Sequence, residues 1–342
     1  MKKGFDARKY EILQGKAITK RLDRNKRIYL EVGGKLLVDN HASRVLPGYN
    51  KKAKQNILRN LSKKEAIYCF NAKKLEENNL LSNGEPNYKL RILKDLEKIK
   101  KEGIINKHVV VTRYLGQKKA QNFLEELEKL GKKVYFHNEI KNYAKNLNET
   151  LMGYKKQPYI PVQEKIIIVT GPASGSGKMA VIMSQLNHEY QNGIKATYSK
   201  YETFPIKDLL PNHPINLAYE AATADLQDIN MIDPYHKRYY GLNKTNYNRD
   251  IENYAILQKI IKKITHKKYP FDYKSPTDMG INTAGQCIID EDVCIKASIK
   301  EINRRNIFYK NQYKIGKETK DTVIRMNEII KCLDSWKKNA KK

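Results

Sequence analysis

The chain has 342 residues, of which 40% are hydrophobic and 30% are charged. Enough apolar residues are present to exclude a wholly disordered chain, and the length favours two domains. The net charge of +29 favours an anionic partner, with nucleic acid among the candidates, unless it reflects a lysine-rich composition spread along the whole chain.

The first half of the sequence alternates β-branched runs with amphipathic stretches, a pattern typical of a parallel sheet covered by helices. Its predicted strands are residues 27–32, 65–70, 108–112 and 133–137, and its predicted helices are residues 51–61, 87–101 and 118–130. We therefore interpret residues 1–155 as a Rossmann-like α/β domain.

Polar residues follow the first predicted strand. Gly33-Gly34-Lys35 forms a predicted glycine turn, and Asp39 and His41 come shortly after it. His41 is a candidate for catalysis as a proton carrier, because imidazole ionises near neutral pH. A purely structural role is the alternative for a lone histidine.

The second half begins after a stretch without periodicity, residues 138–164, which contains Gly153, Pro158 and Pro161 and places a domain boundary near residue 155. Predicted strands follow at residues 165–170 and 195–204, and predicted helices at residues 178–190, 250–264, 292–305 and 317–337. We interpret residues 156–342 as a P-loop-like α/β/α domain with a helical C-terminal part.

A glycine-rich loop separates the strand predicted at 165–170 from the helix predicted at 178–190. Such a loop aims backbone N–H groups and the positive end of the helix dipole at one point, which suits a phosphate group. The candidate phosphate contacts are Gly171, Ser174, Gly175, Ser176, Gly177 and Lys178. We predict that this loop binds ATP or another nucleotide, or a phosphorylated small molecule.

The loop departs from the usual pattern G-x-x-x-x-G-K-[ST], because Pro172 replaces the first glycine and Met179 replaces the hydroxyl residue that binds Mg²⁺. Mg²⁺ is therefore a candidate cofactor whose ligands stay open: Ser174, Ser176 or a distant carboxylate. A glycine turn without a ligand is the alternative. The segment Thr170–Lys178 resembles the T-x-P-x-x-G-x-G-K form of formyltetrahydrofolate synthetases, which use ATP.

Charged residues beyond the loop are further candidates for the site. Lys200 and Glu202 end a predicted strand, at the edge where open α/β sheets bind ligands. Asp225 and Asp228 share one face if their segment is helical, which makes them candidates for a general base or a metal ligand. Surface carboxylates and a solvated strand end are the alternatives.

Two predicted helices begin with acidic residues. Arg249 stands where it can clamp an anion, and Asp250 after it is interpreted as the cap of the helix at 250–264. Asp290 is interpreted in the same way as the cap of the helix predicted at 292–305.

Several motifs along the chain resemble one known family. The first comprises Leu30-Glu31-Val32-Gly33-Gly34-Lys35 with Asp39, His41-Ala42 and residues 44–48. Others lie at residues 111–114, 116–117, 175–178, 184–186, 188–189, 202–206, 218–223, 230–234, 246–252 and 275–280. On these residues the chain resembles the bacterial domain-of-unknown-function family numbered 1846. The resemblance implies a multi-domain α/β fold and no established activity, and since family members extend further, we expect a short form without their C-terminal domain.

No stretch of the sequence has the pattern of a signal peptide or a membrane span. The four cysteines are scattered without a C-x-x-C pair, which indicates neither a zinc site nor a disulfide framework. We therefore expect a cytoplasmic protein with reduced thiols and no membrane partner, and a homo-oligomer is compatible with the sequence.

Three functional hypotheses stay open at this point. The loop and the charged residues after it suggest an ATP-dependent kinase or ligase, because phosphoryl transfer needs mainly positioning and charge neutralisation. Met179 favours a nucleotide-binding protein without turnover. The net positive charge favours an RNA- or DNA-binding protein.

Overall fold

The computed structural model describes residues 2–22, 26–33, 39–77, 80–81, 85–143, 145–266 and 273–340. Gly34 and Lys35, from the predicted glycine turn, lie outside these ranges. The described strands are β1 (Arg27–Val32), β2 (Lys64–Asn71), β3 (Leu80–Leu81), β4 (Glu85–Asn87), β5 (Ile105–Thr112), β6 (Lys133–His137), β7 (Ile166–Thr170), β8 (Ala196–Tyr201), β9 (Asn230–Ile232), β10 (Thr245–Tyr247) and β11 (Gly280–Ile281).

Helices make up most of the remaining chain. They are α1 (Ala7–Leu22), α2 (Asn40–Val45), α3 (Ala53–Asn60), α4 (Ala72–Glu77), α5 (Tyr88–Lys101), α6 (Lys118–Lys129), α7 (Leu147–Lys156), α8 (Lys178–Gln191), α9 (Pro214–Ala222), α10 (Pro234–Tyr240), α11 (Asn248–Ile264), α12 (Pro276–Met279), α13 (Glu291–Lys314) and α14 (Lys320–Asn339). None of these described helices combines the length and the apolar character that a membrane crossing requires.

One central sheet joins both halves of the chain. Its seven strands lie in the order β11-β8-β1-β7-β2-β5-β6, and all of their pairings are parallel. Strand β7 lies between β1 and β2, so the boundary expected near residue 155 does not divide the sheet. Residues 1–155 and 156–342 thus contribute strands to one sheet, because the apolar strand β7 is paired on both sides with strands from the first half.

The sheet has a hydrophobic core on each face. On β7, Ile166 and Ile168 pack into one core, whereas Ile167 and Val169 pack into the other. Helices such as α5 and α13 contribute side chains to the first core, and helices α8 and α11 contribute to the second. This alternation is the pattern of a parallel strand buried on both faces, and it confirms the α/β class.

Because the strands are parallel, their carboxyl ends meet at one edge of the sheet. The glycine-rich loop follows β7 at this edge, and helix α2 follows the neighbouring strand β1. Glu202 comes directly after β8, which is the other neighbour of β1. Ligands of open α/β sheets bind at such an edge, so the fold brings several predicted site residues to one place.

A buried histidine, His137, ends strand β6 at the margin of the sheet. Burial lowers the pKa of His137 from 6.5 to about 4, because desolvation disfavours the charged ring. Between these two pH values the unfolded chain binds a proton at His137 that the folded protein does not take up. The free energy of unfolding is therefore unaffected by this group above pH 6.5 and decreases as the pH falls through about 4, by up to about 3 kcal/mol. We expect His137→Gln to flatten the pH dependence of urea unfolding in this window. Equal slopes in the two proteins would contradict the expectation.

Candidate functional site

The loop from Gly171 to Gly177 connects β7 to α8 and contains two residues in the left-handed region. Gly175 has φ of +74° and Gly177, the N-cap of α8, has φ of +79°. An L-residue with a Cβ rarely adopts these values, so glycine is required for the tight turn. The first N–H groups of α8 have no acceptor within the helix and open onto the loop.

Three successive carbonyl groups of the loop are held by side chains from neighbouring elements. These hydrogen bonds run from Lys74 Nζ to Ser174 O at 3.0 Å, from Asn71 Nδ2 to Gly175 O at 3.2 Å, and from Thr112 Oγ1 to Ser176 O at 3.1 Å. In a trans peptide the N–H group points opposite to the C=O group. The N–H groups of residues 175–177 therefore point away from Asn71, Lys74 and Thr112, towards the other side of the loop, and such a set of donors suits an anion.

Close packing fixes the position of the loop. A Cβ atom on Gly171 would lie 2.3 Å from the carbonyl oxygen of Cys69, and one on Gly177 would lie 2.7 Å from Cγ2 of Thr112. Both distances are shorter than atoms tolerate, so each position admits only glycine without a rearrangement. The loop is thus held against the ends of β2 and β5.

The hydroxyl groups of the loop already have partners. Ser176 Oγ donates to Ala173 O at 2.7 Å, and Ser174 Oγ accepts from Arg249 Nη1 at 3.2 Å. Met179 occupies the second position of α8. Among the described residues, no group of three or more His, Cys, Asp or Glu side chains is arranged to hold a metal ion.

A buried carboxylate orients Arg249 towards the loop. Asp228 is 1% exposed and accepts two hydrogen bonds from this guanidinium, from Nε at 2.6 Å and from Nη2 at 2.9 Å. This bidentate pairing leaves Nη1 directed at Ser174. The Arg249 side chain remains 44% exposed, so part of its charge is open to a ligand at the loop.

Lys200, on β8, carries an ammonium surrounded by carboxylates. Its Nζ atom contacts Asp250 on α11, lies 3.6 Å from Glu202 Oε1, and sits 4.7 Å from the ring centre of Tyr247. Burial alone lowers the pKa of this ammonium, but Asp250, Glu202 and Glu31 outweigh burial and raise that pKa above its usual range. Lys200 is therefore a positive charge held in place by neighbouring carboxylates.

Glu31 connects Lys200 to the first residue of α8. Its Oε1 atom lies 3.7 Å from Lys178 Nζ, and its Oε2 atom accepts a hydrogen bond from Tyr198 OH at 3.0 Å. Lys178 is buried, with an exposed fraction of 9%. The structure thus brings Lys178, Lys200, Glu202, Asp228 and Arg249 to one edge of the sheet, around the glycine loop.

Asp225 does not join this group. Helix α9 ends at Ala222, before Asp225 and Asp228, so the predicted helical face shared by these two aspartates is wrong. Asp225 lies in a single 3-10 turn and accepts a hydrogen bond from Tyr309 OH at 3.1 Å. Asp228 instead pairs with Arg249 and orients its guanidinium group.

His41 is also outside the group of residues around the glycine loop. Its Nδ1 atom lies 3.6 Å from Glu301 Oε1 on α13, and the histidine is 4% exposed. Asp39 caps α2 by accepting from the Ala42 amide at 2.9 Å, and it pairs with Lys54 at 2.9 Å. Burial acts to raise the pKa of Asp39, but Lys54 and the Ala42 amide hold it below the usual range.

Several residues of the site were not predicted from the sequence. Asn71 and Thr112 end two strands at the same edge as the loop, and Glu31 is the one carboxylate of β1. Their positions at or near the carboxyl ends of predicted strands are the signal that could have identified them in the sequence. The cap predicted at Asp250 is wrong, since Tyr247 holds the N-cap position of α11 and the Asp250 carboxylate binds Lys200 instead.

These features define an α/β protein with a strand, a glycine loop and a helix at the carboxyl edge of its central parallel sheet. A model of the family described as "Domain of unknown function DUF1846, N-terminal" matches residues 3–334. The chain belongs to this family, as its sequence motifs predicted.

Relatives in clostridia share extensive sequence identity with the chain. A UPF0371 protein of Clostridium tetani is 44% identical over 333 residues, which cover 96% of this chain and 66% of the relative. A UPF0371 protein of a type A strain of Clostridium botulinum is 42% identical over 344 residues, which cover 100% of this chain and 68% of the relative. The chain thus spans about two thirds of the length of these relatives.

Proposed function

We propose that the chain binds the phosphate groups of a nucleotide or a phosphorylated small molecule at the glycine loop, with ATP as the first candidate. The observation that carries this proposal is the direction of the three N–H groups of residues 175–177. The carbonyl groups of the same three peptides are all hydrogen-bonded to side chains on the opposite side of the loop. An anion at this point also meets the positive end of the α8 dipole. The arrangement is P-loop-like in that a glycine loop joins a buried strand to the N-terminus of a helix.

Fixed positive charges support the same ligand. Arg249 approaches the loop directly, and Lys178 and Lys200 lie deeper, beside Glu31. Charges held in place before a ligand arrives stabilise phosphate groups without reorganising. Mg²⁺ would enter with the nucleotide phosphates. A cytoplasmic location belongs to the same proposal, since free ATP is abundant there.

The site favours binding over hydrolysis. Asp228 is committed to Arg249, and Lys200 is held in its charged form. A kinase or ligase reaction would therefore use these residues for positioning and charge neutralisation, while the second substrate supplies the nucleophile.

Titration of ATP, with and without Mg²⁺, tests the proposal on the wild type and on Lys178→Ala. We expect the variant to bind about tenfold more weakly, since one buried charge near the phosphate site is lost. Urea unfolding of both proteins separates this effect from a loss of folding. Equal ATP affinity in two folded proteins, or no ATP binding by the wild type, would contradict ATP binding at the loop.

A further inference from the structure

A cluster of arginines surrounds one buried carboxylate outside the candidate phosphate site. Glu301, on α13, is 3% exposed. It accepts hydrogen bonds from three guanidinium groups: Arg44 Nε at 2.9 Å, Arg304 Nε and Nη2 at 2.7 Å each, and Arg305 Nε at 3.1 Å. Three positive charges therefore share one negative charge.

The excess positive charge lies on Arg44 and Arg304. Glu301 is the only carboxylate among the described residues that forms an ion pair with either of them. Arg305 is buried and has further contacts, whereas the side chains of Arg44 and Arg304 are 37% and 46% exposed. These two arginines can therefore meet a ligand from solvent.

Arg44 and Arg304 lie side by side. Their Nε atoms bond the same oxygen, Glu301 Oε2, at 2.9 and 2.7 Å, so the two Nε atoms are at most 5.6 Å apart. Within the described part of the chain, Nη1 and Nη2 of Arg44 and Nη1 of Arg304 donate to no residue. Adjacent guanidinium groups repel each other, and an oxyanion that accepts from both removes the repulsion.

The arginine pair lies at the same edge of the sheet as the glycine loop. Helix α2, which carries Arg44, follows β1, and the loop follows the neighbouring strand β7. Aromatic rings connect the two places. The His41 ring lies 6.1 Å from that of Tyr219, which stacks on Tyr247 at 5.7 Å, and Lys200 sits over the Tyr247 ring.

We infer that Arg44 and Arg304 form a second oxyanion site, which binds a phosphate or carboxylate group of a ligand. Glu301 holds both guanidinium groups in place, and it is a positioning residue in this site. The inference goes beyond phosphate binding at the loop and does not depend on it, because no loop residue takes part.

Chemical modification by phenylglyoxal tests the site in the wild-type protein. The reagent attacks accessible guanidinium groups, and mass spectrometry of the digest gives a rate for each arginine. One arm adds inorganic phosphate, a second adds malonate, and a third adds sodium chloride at the same ionic strength. Arg59 is the matched control, because it pairs with Glu102 at 2.6 Å on an exposed surface.

We expect phosphate, malonate or both to slow the modification of Arg44 and Arg304 at least about threefold, since bidentate hydrogen bonds shield the guanidinium groups. Protection by phosphate alone assigns a phosphate group, and protection by malonate assigns a carboxylate. Arg304→Gln should abolish the protection of Arg44. Equal rates in all three arms at Arg44 and Arg304 would overturn the inference, and so would equal slowing of Arg59. Arg249, measured in the same digest, reports separately on the loop.

Discussion

Replacing Arg249 with glutamine is expected to weaken ATP binding about 10- to 100-fold, the usual cost of losing charge-assisted hydrogen bonds to a phosphate group. The guanidinium is oriented by Asp228 and approaches Ser174 of the loop at 3.2 Å. Calorimetric titration with ATP measures the change. Arg59→Gln is the control, because it removes an arginine paired with Glu102 on an exposed surface.

Asp228→Asn separates orientation from charge in this experiment. The asparagine keeps the size of the side chain but loses the charge that holds Arg249 in its bidentate arrangement. We expect a smaller loss of ATP affinity than in Arg249→Gln, and little further loss when both changes are combined, because both act through one guanidinium. An Arg249→Gln protein that binds ATP as tightly as Arg59→Gln would show that Arg249 takes no part in the site.

Gly177→Ala is expected to destabilise the fold by about 3 kcal/mol, because steric overlap and an unfavourable backbone conformation act together. The new Cβ would lie 2.7 Å from Thr112 Cγ2, at a residue whose φ is +79°. Thr112 itself is anchored, since its hydroxyl lies 3.1 Å from both Phe70 O and Ser176 O and shares its one proton between these two acceptors. Urea unfolding measures the free energy of unfolding.

Gly193→Ala provides a matched control at the other end of α8. Gly193 has a similar φ of +71°, but a Cβ there meets nothing within 4 Å. This variant should lose only about 1 kcal/mol, the cost of the backbone conformation alone. Equal losses in the two variants would mean that the contact between the loop and Thr112 contributes nothing to stability.

Local patterns were enough to predict many elements of the fold. The strands predicted at residues 27–32 and 133–137 coincide with β1 and β6, since β-branched and aromatic runs bounded by polar residues leave little choice. The helix cap predicted at Asp290 is confirmed, because its carboxylate accepts from the Val293 amide at 3.1 Å. Strand β11 has only two residues, too few to form a recognisable pattern.

Arrangements that depend on the order of the strands in the sheet could not be predicted from the sequence. Nothing in the periodicity of β7 indicates that it lies between β1 and β2. The sequence pattern therefore could not show that strands from both sides of residue 155 join one sheet. The partners of the site follow from that order. Arg249 meets Asp228 across 21 positions, Lys200 meets Asp250 across 50, and Arg44 meets Glu301 across 257.

The amides of Gly175 and Gly177 provide the most direct test of phosphate binding at the loop. Of the 18 glycines in the chain, these two alone follow a serine. Cell-free synthesis with carbonyl-¹³C serine and ¹⁵N glycine therefore yields a protein with only two signals in an experiment that selects bonded ¹³C–¹⁵N pairs. We expect both signals to shift saturably as ATP or inorganic phosphate is added, because their N–H groups hydrogen-bond the anion. Signals that stay in place while calorimetry reports bound ATP would locate the nucleotide elsewhere and contradict the account.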